Sequence, residues 1–163
     1  PGRGHGSTFT ITLPAGSASA LKAVSAPSNP KAPDIRGARL LLIEDDESTR
    51  ATIGEILSLA GAQVYAAEDS GTGMEQLRNM RPDILVCDIA LPGENGLDFL
   101  SKVRRRPANE GGATPALALT AFASEEDRAR TRAAGFQRHL VKPVDIEQLI
   151  GAVAELLHRD TPA

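Results

Sequence analysis

The sequence predicts an α/β fold, a doubly wound parallel sheet with helices on both faces. Three observations carry that reading. From residue 38 onward, short apolar runs rich in branched residues alternate with stretches of helical periodicity. That alternation builds βαβ units, and such units build parallel sheets. The runs are continuous rather than alternating, as strands buried on both faces must be. Several of them end on an acidic or polar residue, at the C-terminal sheet edge where doubly wound folds place their ligands.

The elements follow in order. Leu40 to Ile43 is the first strand. Ile53, Ile56, Leu57 and Ala60 recur at helical spacing, and Gly61 closes that helix. Ala62 to Ala66 is a weaker strand. Met74, Leu77 and Met80 mark a short helix ended by Pro82. Ile84 to Cys87 is the most apolar strand and runs into Asp88. Its loop holds Pro92, Gly93, Asn95 and Gly96, all turn formers. Phe99, Leu100 and Val103 mark the third helix, and Ala116 to Leu119 the fourth strand. Ser124 and Asp127 open the fourth helix as a capping box, and Gly135 ends it. No side chain larger than Ala is expected to anchor that helix, so it should be the most weakly held. Arg138 to Val141 is the fifth strand, and residues 146–157 form the clearest amphipathic helix. Five βα units predict a flavodoxin-like three-layer sandwich with strand order 2-1-3-4-5.

Composition narrows the function. Hydrophobic residues make up 41% and charged residues 24%, values normal for a soluble globular protein. No apolar run approaches the ~20 residues of a membrane helix, and the polar, Gly-rich start shows no signal peptide, so no membrane contact is expected. The single Cys87 excludes an internal disulfide or a cysteine-cluster metal site, and it reads as core packing in a cytoplasmic protein. Residues 38–163 hold 14 Lys/Arg against 20 Asp/Glu. A domain that acidic is not expected to bind nucleic acid, which requires phosphate neutralisation. The run Arg104-Arg105-Arg106 reads as a solvated helix end.

Residues 1–37 differ in kind. Gly4 to Pro14, GHGSTFTITLP, starts Gly-rich and then alternates Phe9, Ile11, Leu13 like a half-buried strand. It resembles the last glycine box and final strand of the ATP-binding domain of sensor histidine kinases. Residues 1–14 are therefore expected to be a remnant of such a domain, without the parts needed to bind ATP. Residues 15–37 are rich in Ala, Ser and Pro and are expected to form a flexible linker. The folded domain is expected over 38–158, with 159–163 as a tail.

Four strands end in chemistry: the first in Glu44-Asp45-Asp46, the third in Asp88, the fourth in Thr120-Ala121, the fifth in Lys142-Pro143. A parallel sheet brings these ends to one edge. Clustered carboxylates raise one another's pKa unless a cation intervenes, and hard oxygen donors suit Mg²⁺. Asp88 can then serve as a nucleophile that forms an aspartyl phosphate. Lys142 would neutralise phosphoryl oxygens, and the Thr120 hydroxyl and Ala121 N–H would donate to them.

With these residues in view, 38–158 resembles the receiver domain of two-component response regulators. The resemblance puts the family's acidic pair on Glu44 and Asp45, its phosphoacceptor on Asp88, its hydroxyl residue on Thr120 and its lysine on Lys142. It implies a metal held by Asp45, Asp88 and the Ala90 carbonyl, with Glu44 acting through water, and a cis Lys142-Pro143 bond. It implies that the domain catalyses its own phosphorylation and dephosphorylation. The implied partners are a histidine kinase phosphodonor domain or a histidine phosphotransfer protein. None of His5, His139 and His158 has an acidic neighbour of the kind a phosphodonor histidine has, so the donor is expected elsewhere.

One position departs from the family. His139 stands where the family usually has Tyr or Phe, three residues before the lysine. It is expected to form, with Thr120, the phosphorylation-sensitive face. With the kinase-like segment in front and no output domain expected behind, the chain reads as the C-terminal receiver of a hybrid sensor histidine kinase. Three other functions fit the sequence less well. An aspartyl phosphatase would resemble Asp-x-Asp, whereas this chain reads Asp88-Ile89-Ala90. A receiver reduced to protein interaction would lack a key residue. A flavodoxin would need a hydroxyl- and Gly-rich phosphate loop where Glu44 to Glu47 stand.

Overall fold

The computed structural model describes residues 33–159. The expectations for residues 1–32 and for the end of the tail lie outside the described residues. Five parallel strands, β1 Arg39–Ile43, β2 Gln63–Ala67, β3 Ile84–Asp88, β4 Ala116–Thr120 and β5 Arg138–Val141, form one sheet. Their order is β2-β1-β3-β4-β5, as the sequence predicts. Between them run α1 Glu47–Leu59, α2 Ser70–Met80, α3 Gly96–Arg104 and α4 Glu125–Ala134, with α5 Ile146–Arg159 last. The order reverses at β1, which pairs with β2 on one side and β3 on the other. Successive connections then leave in opposite directions, and a crevice opens above the β1 and β3 ends.

Residue alternation along the strands builds two cores. Leu40, Leu42, Ile84, Val86, Leu117 and Leu119 pack under Ile53 and Leu57 of α1 and Leu149 and Val153 of α5. Leu41, Ile43, Leu85, Cys87, Ala116 and Ala118 pack under Leu77 of α2 and Phe99, Leu100 and Val103 of α3. Cys87 is thus core, and burial pushes its thiol pKa well up, so it is held as an unreactive thiol.

Side-chain caps set four helix starts, among them the Ser124 cap that the sequence predicts. The side chains of Asp46, Asp69, Asn95 and Ser124 accept from the backbone N–H groups of Thr49, Thr72, Asp98 and Asp127. Gly96, the first residue of α3, passes directly over the end of β3. A Cβ at that position would collide with the Asp88 carbonyl oxygen.

Three expectations need correction. The folded unit begins at Pro33, not residue 38. Ile35 is only 1% exposed and sits in the first core, while Gly37 N donates to Gly61 O. A single Ile in an Ala/Ser/Pro-rich stretch has no periodicity to reveal it. Arg104 is no solvated helix end. It is half-buried, with Nη1 donating to the carbonyls of Gly112 and Thr114 and Nε and Nη2 to that of Gly135. It thereby ties α3 to two loops, and its neighbour Arg106 pairs with Glu110. Finally, α4 does bury a side chain larger than Ala: Thr131, whose hydroxyl donates to Asp127 O at 2.7 Å. It is the one buried residue of α4, against Leu149, Val153, Ala154 and Leu156 in α5.

Truncating a fully buried Ile leaves a cavity as well as losing transfer energy. Ile35→Ala should therefore lower the unfolding free energy by about 2–5 kcal/mol in a urea titration. An effect below about 0.5 kcal/mol, the size of ordinary surface substitutions, would return this residue to the linker.

Candidate functional site

The strand ends meet at the crevice. Register aligns Ile43 with Cys87, and Asp88 with Leu119. The acids that follow β1 therefore lie beside the acid that ends β3. Carboxylate oxygens of Glu44, Asp45 and Asp88 all fall within 4.8 Å of one another. Glu44 is 1% exposed and Asp88 4%, whereas Asp45 is open to solvent.

Lys142, at the end of β5, reaches across β4 into this cluster. Its Nζ stands 2.7 Å from Glu44 Oε2 and 2.9 Å from Asp88 Oδ2. The chain turns there at a cis Lys142-Pro143 bond, as the resemblance implies. Lys142 N also donates to Thr120 O at 2.8 Å, which locks the β5 end to the β4 end. Burial raises the Glu44 pKa, Lys142 opposes the rise, and the charges of Asp88 and Asp45 add to it. Burial alone would lower the Lys142 pKa, but its bonds to Glu44 and Asp88 prevail and raise it. The ammonium is held charged by acids that are themselves crowded.

The remaining predicted residues surround the cluster. Ala90 N donates to Asp88 Oδ1 at 3.2 Å, so the loop after β3 folds back on the carboxylate. Thr120 is 5% exposed, and its hydroxyl accepts from Phe122 N at 3.1 Å. That hydroxyl keeps a proton to donate. Ala121 is exposed on the rim, and so is Phe122, at 64%. His139 is not in the crevice. It pairs in register with Ala118 and lines a groove of about 380 Å³ between α4 and β5. Burial and the guanidiniums of Arg128 and Arg132 lower its pKa, with Glu125 opposing them. The structure thus brings Glu44, Asp45, Asp88 and Lys142 together, sets Ala90, Thr120 and Ala121 around them, and leaves His139 on the adjoining face.

Two features were not legible from the sequence. Glu44 is paired to Lys142 at 2.7 Å, a contact across 98 positions that no local pattern announces. Arg50 Nη1 donates to the carbonyls of Glu44 at 2.7 Å and Asp45 at 2.9 Å. A signal for the second exists: a basic residue four positions after an N-cap acid, where it can lean back over the loop.

The three carboxylates are hard, anionic oxygen donors, and a donor set of that kind fits Mg²⁺. The cluster also offers a nucleophilic carboxylate beside an ammonium, with the Thr120 hydroxyl at the end of the neighbouring strand.

Comparison with known proteins agrees with this chemistry. The profile of the response regulator receiver domain family matches residues 40–154. The phosphate regulon transcriptional regulatory protein PhoB of Klebsiella pneumoniae is 31% identical over 124 residues, 76% of this chain and 53% of that protein. The chain spans about half of PhoB's length. The chemotaxis response regulator CheY4 of Vibrio cholerae superposes with a TM-score of 0.69 at 29% identity, over 74% of this chain and 99% of that one. The receiver domain of sensor histidine kinase PA1611 from Pseudomonas aeruginosa was solved with a magnesium ion coordinated in its active-site cleft. It superposes with a TM-score of 0.68 at 26% identity, over 75% of this chain and 98% of that one.

Proposed function

The chain belongs to the response regulator receiver domain family, the phosphoryl-accepting modules of two-component systems, and from that premise we propose that Asp88 is its phosphoacceptor. The observation that carries the assignment is the convergence on Asp88: Lys142 at 2.9 Å, Ala90 N at 3.2 Å, and two further carboxylates.

A carboxylate oxygen of Asp88 bonds to phosphorus as the bond to the donor's imidazole nitrogen breaks. The nitrogen keeps the electron pair, and the product is a mixed anhydride on Asp88. Lys142, already between Glu44 and Asp88, balances the charge on the arriving phosphoryl oxygens. The Thr120 hydroxyl and the Ala121 N–H donate to the other oxygens. Asp45, Asp88 and the Ala90 carbonyl would hold Mg²⁺, with Glu44 behind them. When bound, Mg²⁺ supplies the charge neutralisation that lets an anionic nucleophile meet an anionic phosphoryl group. The magnesium reported in the PA1611 receiver supports this ligand chemistry.

The phosphodonor is a phosphohistidine on a kinase or on a phosphotransfer protein. We further read the parent protein as a hybrid sensor kinase of the cytoplasm. The segment GHGSTFTITLP and the similarity to a sensor kinase's receiver support that reading. Among the described residues no helix is long and apolar enough to cross a membrane.

Two outcomes test the site. Incubated with a small acyl phosphate and Mg²⁺, the full chain should gain the mass of one phosphoryl group. Asp88→Asn and chelation should each abolish the gain. A gain that survives either change removes Asp88 or the metal from the reaction.

The second concerns motion. Drawing the Thr120 hydroxyl toward a phosphoryl oxygen breaks its bond to Phe122 N and pulls the loop that leads into α4. The one side chain that α4 buries is the small, polar Thr131, where every other helix buries a Leu, Ile or Phe, so α4 is the helix least able to resist. Phosphate biases the two arrangements through these differential contacts alone. Beryllofluoride, a phosphoryl mimic, should therefore give its largest amide shifts at residues 120–141, His139 included. Largest shifts in α1 or α2 would contradict this switch.

A further inference from the structure

The loop between β1 and α1 consists of Glu44, Asp45 and Asp46, and each end of it is pinned. Glu44 N donates to Ala67 O at 3.1 Å, which continues the sheet ladder. The Asp46 side chain caps α1 by accepting from Thr49 N at 2.7 Å. Between the pins stand two peptide groups whose carbonyls belong to the two acids of the crevice. Neither carbonyl has a backbone partner among the described residues. Both are taken by one atom, Arg50 Nη1, at 2.7 and 2.9 Å.

We propose that Arg50 is a positioning residue for the acid pair: by holding the Glu44 and Asp45 carbonyls it sets the direction in which both carboxylates project, and so preorganises the cation site. The inference rests on the reading of that cluster as a divalent-cation site. A Cβ direction is set by the two peptide planes that flank its Cα, and here the bonds to Glu44 N and to the Glu44 and Asp45 carbonyls hold the planes on either side of both acids, which fixes where each side chain leaves the backbone. Guanidinium–carbonyl bonds are charge-assisted, and a single nitrogen holding both carbonyls leaves the loop no independent rotation. Groups that orient metal ligands without touching the metal typically govern affinity 10- to 100-fold.

The sign of the effect makes the proposal sharp. As a bare positive charge near three carboxylates, Arg50 would repel a cation, and its removal would tighten Mg²⁺ binding. As a positioning residue it does the reverse. A residue that merely stiffened α1 would change thermal stability and leave Mg²⁺ affinity alone.

The test uses the full chain as wild type, Arg50→Ala and Arg50→Lys. Three readings are taken: Mg²⁺ affinity by calorimetric titration, metal-free amide exchange at Asp45 and Asp46, and thermal unfolding. Arg50→Ala should weaken Mg²⁺ binding about 10-fold or more and speed exchange at both amides. Arg50→Lys keeps the charge but replaces a rigid planar donor by a strongly hydrated ammonium on a flexible stem, so its affinity should fall between the two. Wild-type affinity with wild-type exchange in Arg50→Ala, or tighter binding, overturns the proposal. If Arg50→Ala does not fold, Arg50→Lys decides, and wild-type affinity there overturns it. A wild-type chain that binds no Mg²⁺ sinks the cation-site reading instead, and the metal-free exchange still decides whether Arg50 holds the loop.

Discussion

Everything at the crevice depends on one repulsion. Parallel pairing of β1 and β3 forces Glu44, Asp45 and Asp88 together, whatever their charges prefer. Two unit charges about 4 Å apart interact by about 4 kcal/mol at an effective dielectric near 20, a sizeable share of a small domain's stability. Lys142 offsets part of this by standing between Glu44 and Asp88. One ammonium against three carboxylates still leaves excess negative charge. A cation would offset that excess, and a phosphoryl group, which would add to it, would need compensating interactions.

The fold serves that arrangement by being unequal in strength. β1, β3 and β4, which carry the acids and Thr120, are buried along nearly their whole length. The edge strand β5 is half-buried, and the neighbouring α4 has one buried side chain. Charge changes at the crevice therefore act on a rigid centre flanked by a compliant edge. His139 sits on that edge in a groove it shares with Arg128 and Arg132. A change in the position of α4 would be felt there first.

The sequence spoke clearly where a local pattern determines structure. Buried parallel strands must be apolar throughout, so Leu40 to Ile43, Ile84 to Cys87 and Ala116 to Leu119 were legible, and with them the polar residues at their ends. The Ser124 cap was legible for the same reason, as a local pattern of hydroxyl and acid three residues apart. Contacts made by long side chains across elements were not. Arg104 and Arg50 look alike in sequence, as basic residues on helices, yet one ties three loop carbonyls to α3 and the other clamps the acid loop. Ile35 belongs to the core only because the chain before β1 folds back on α1, and no period in a stretch of Ala, Ser and Pro predicts that. The Glu44–Lys142 pair spans 98 positions and exists only through the strand order.

The direct measure of the central repulsion is equilibrium unfolding with and without Mg²⁺, for the wild-type chain and Asp45→Asn. Ligands that bind only the folded state stabilise it in proportion to the logarithm of their concentration. The account predicts that Mg²⁺ stabilises the wild type. It also predicts that Asp45→Asn is more stable than the wild type without metal, because one carboxylate of the cluster is gone, and that it scarcely responds to Mg²⁺. A wild-type stability indifferent to Mg²⁺, or an Asp45→Asn variant that is less stable without metal and still responds fully, would contradict it.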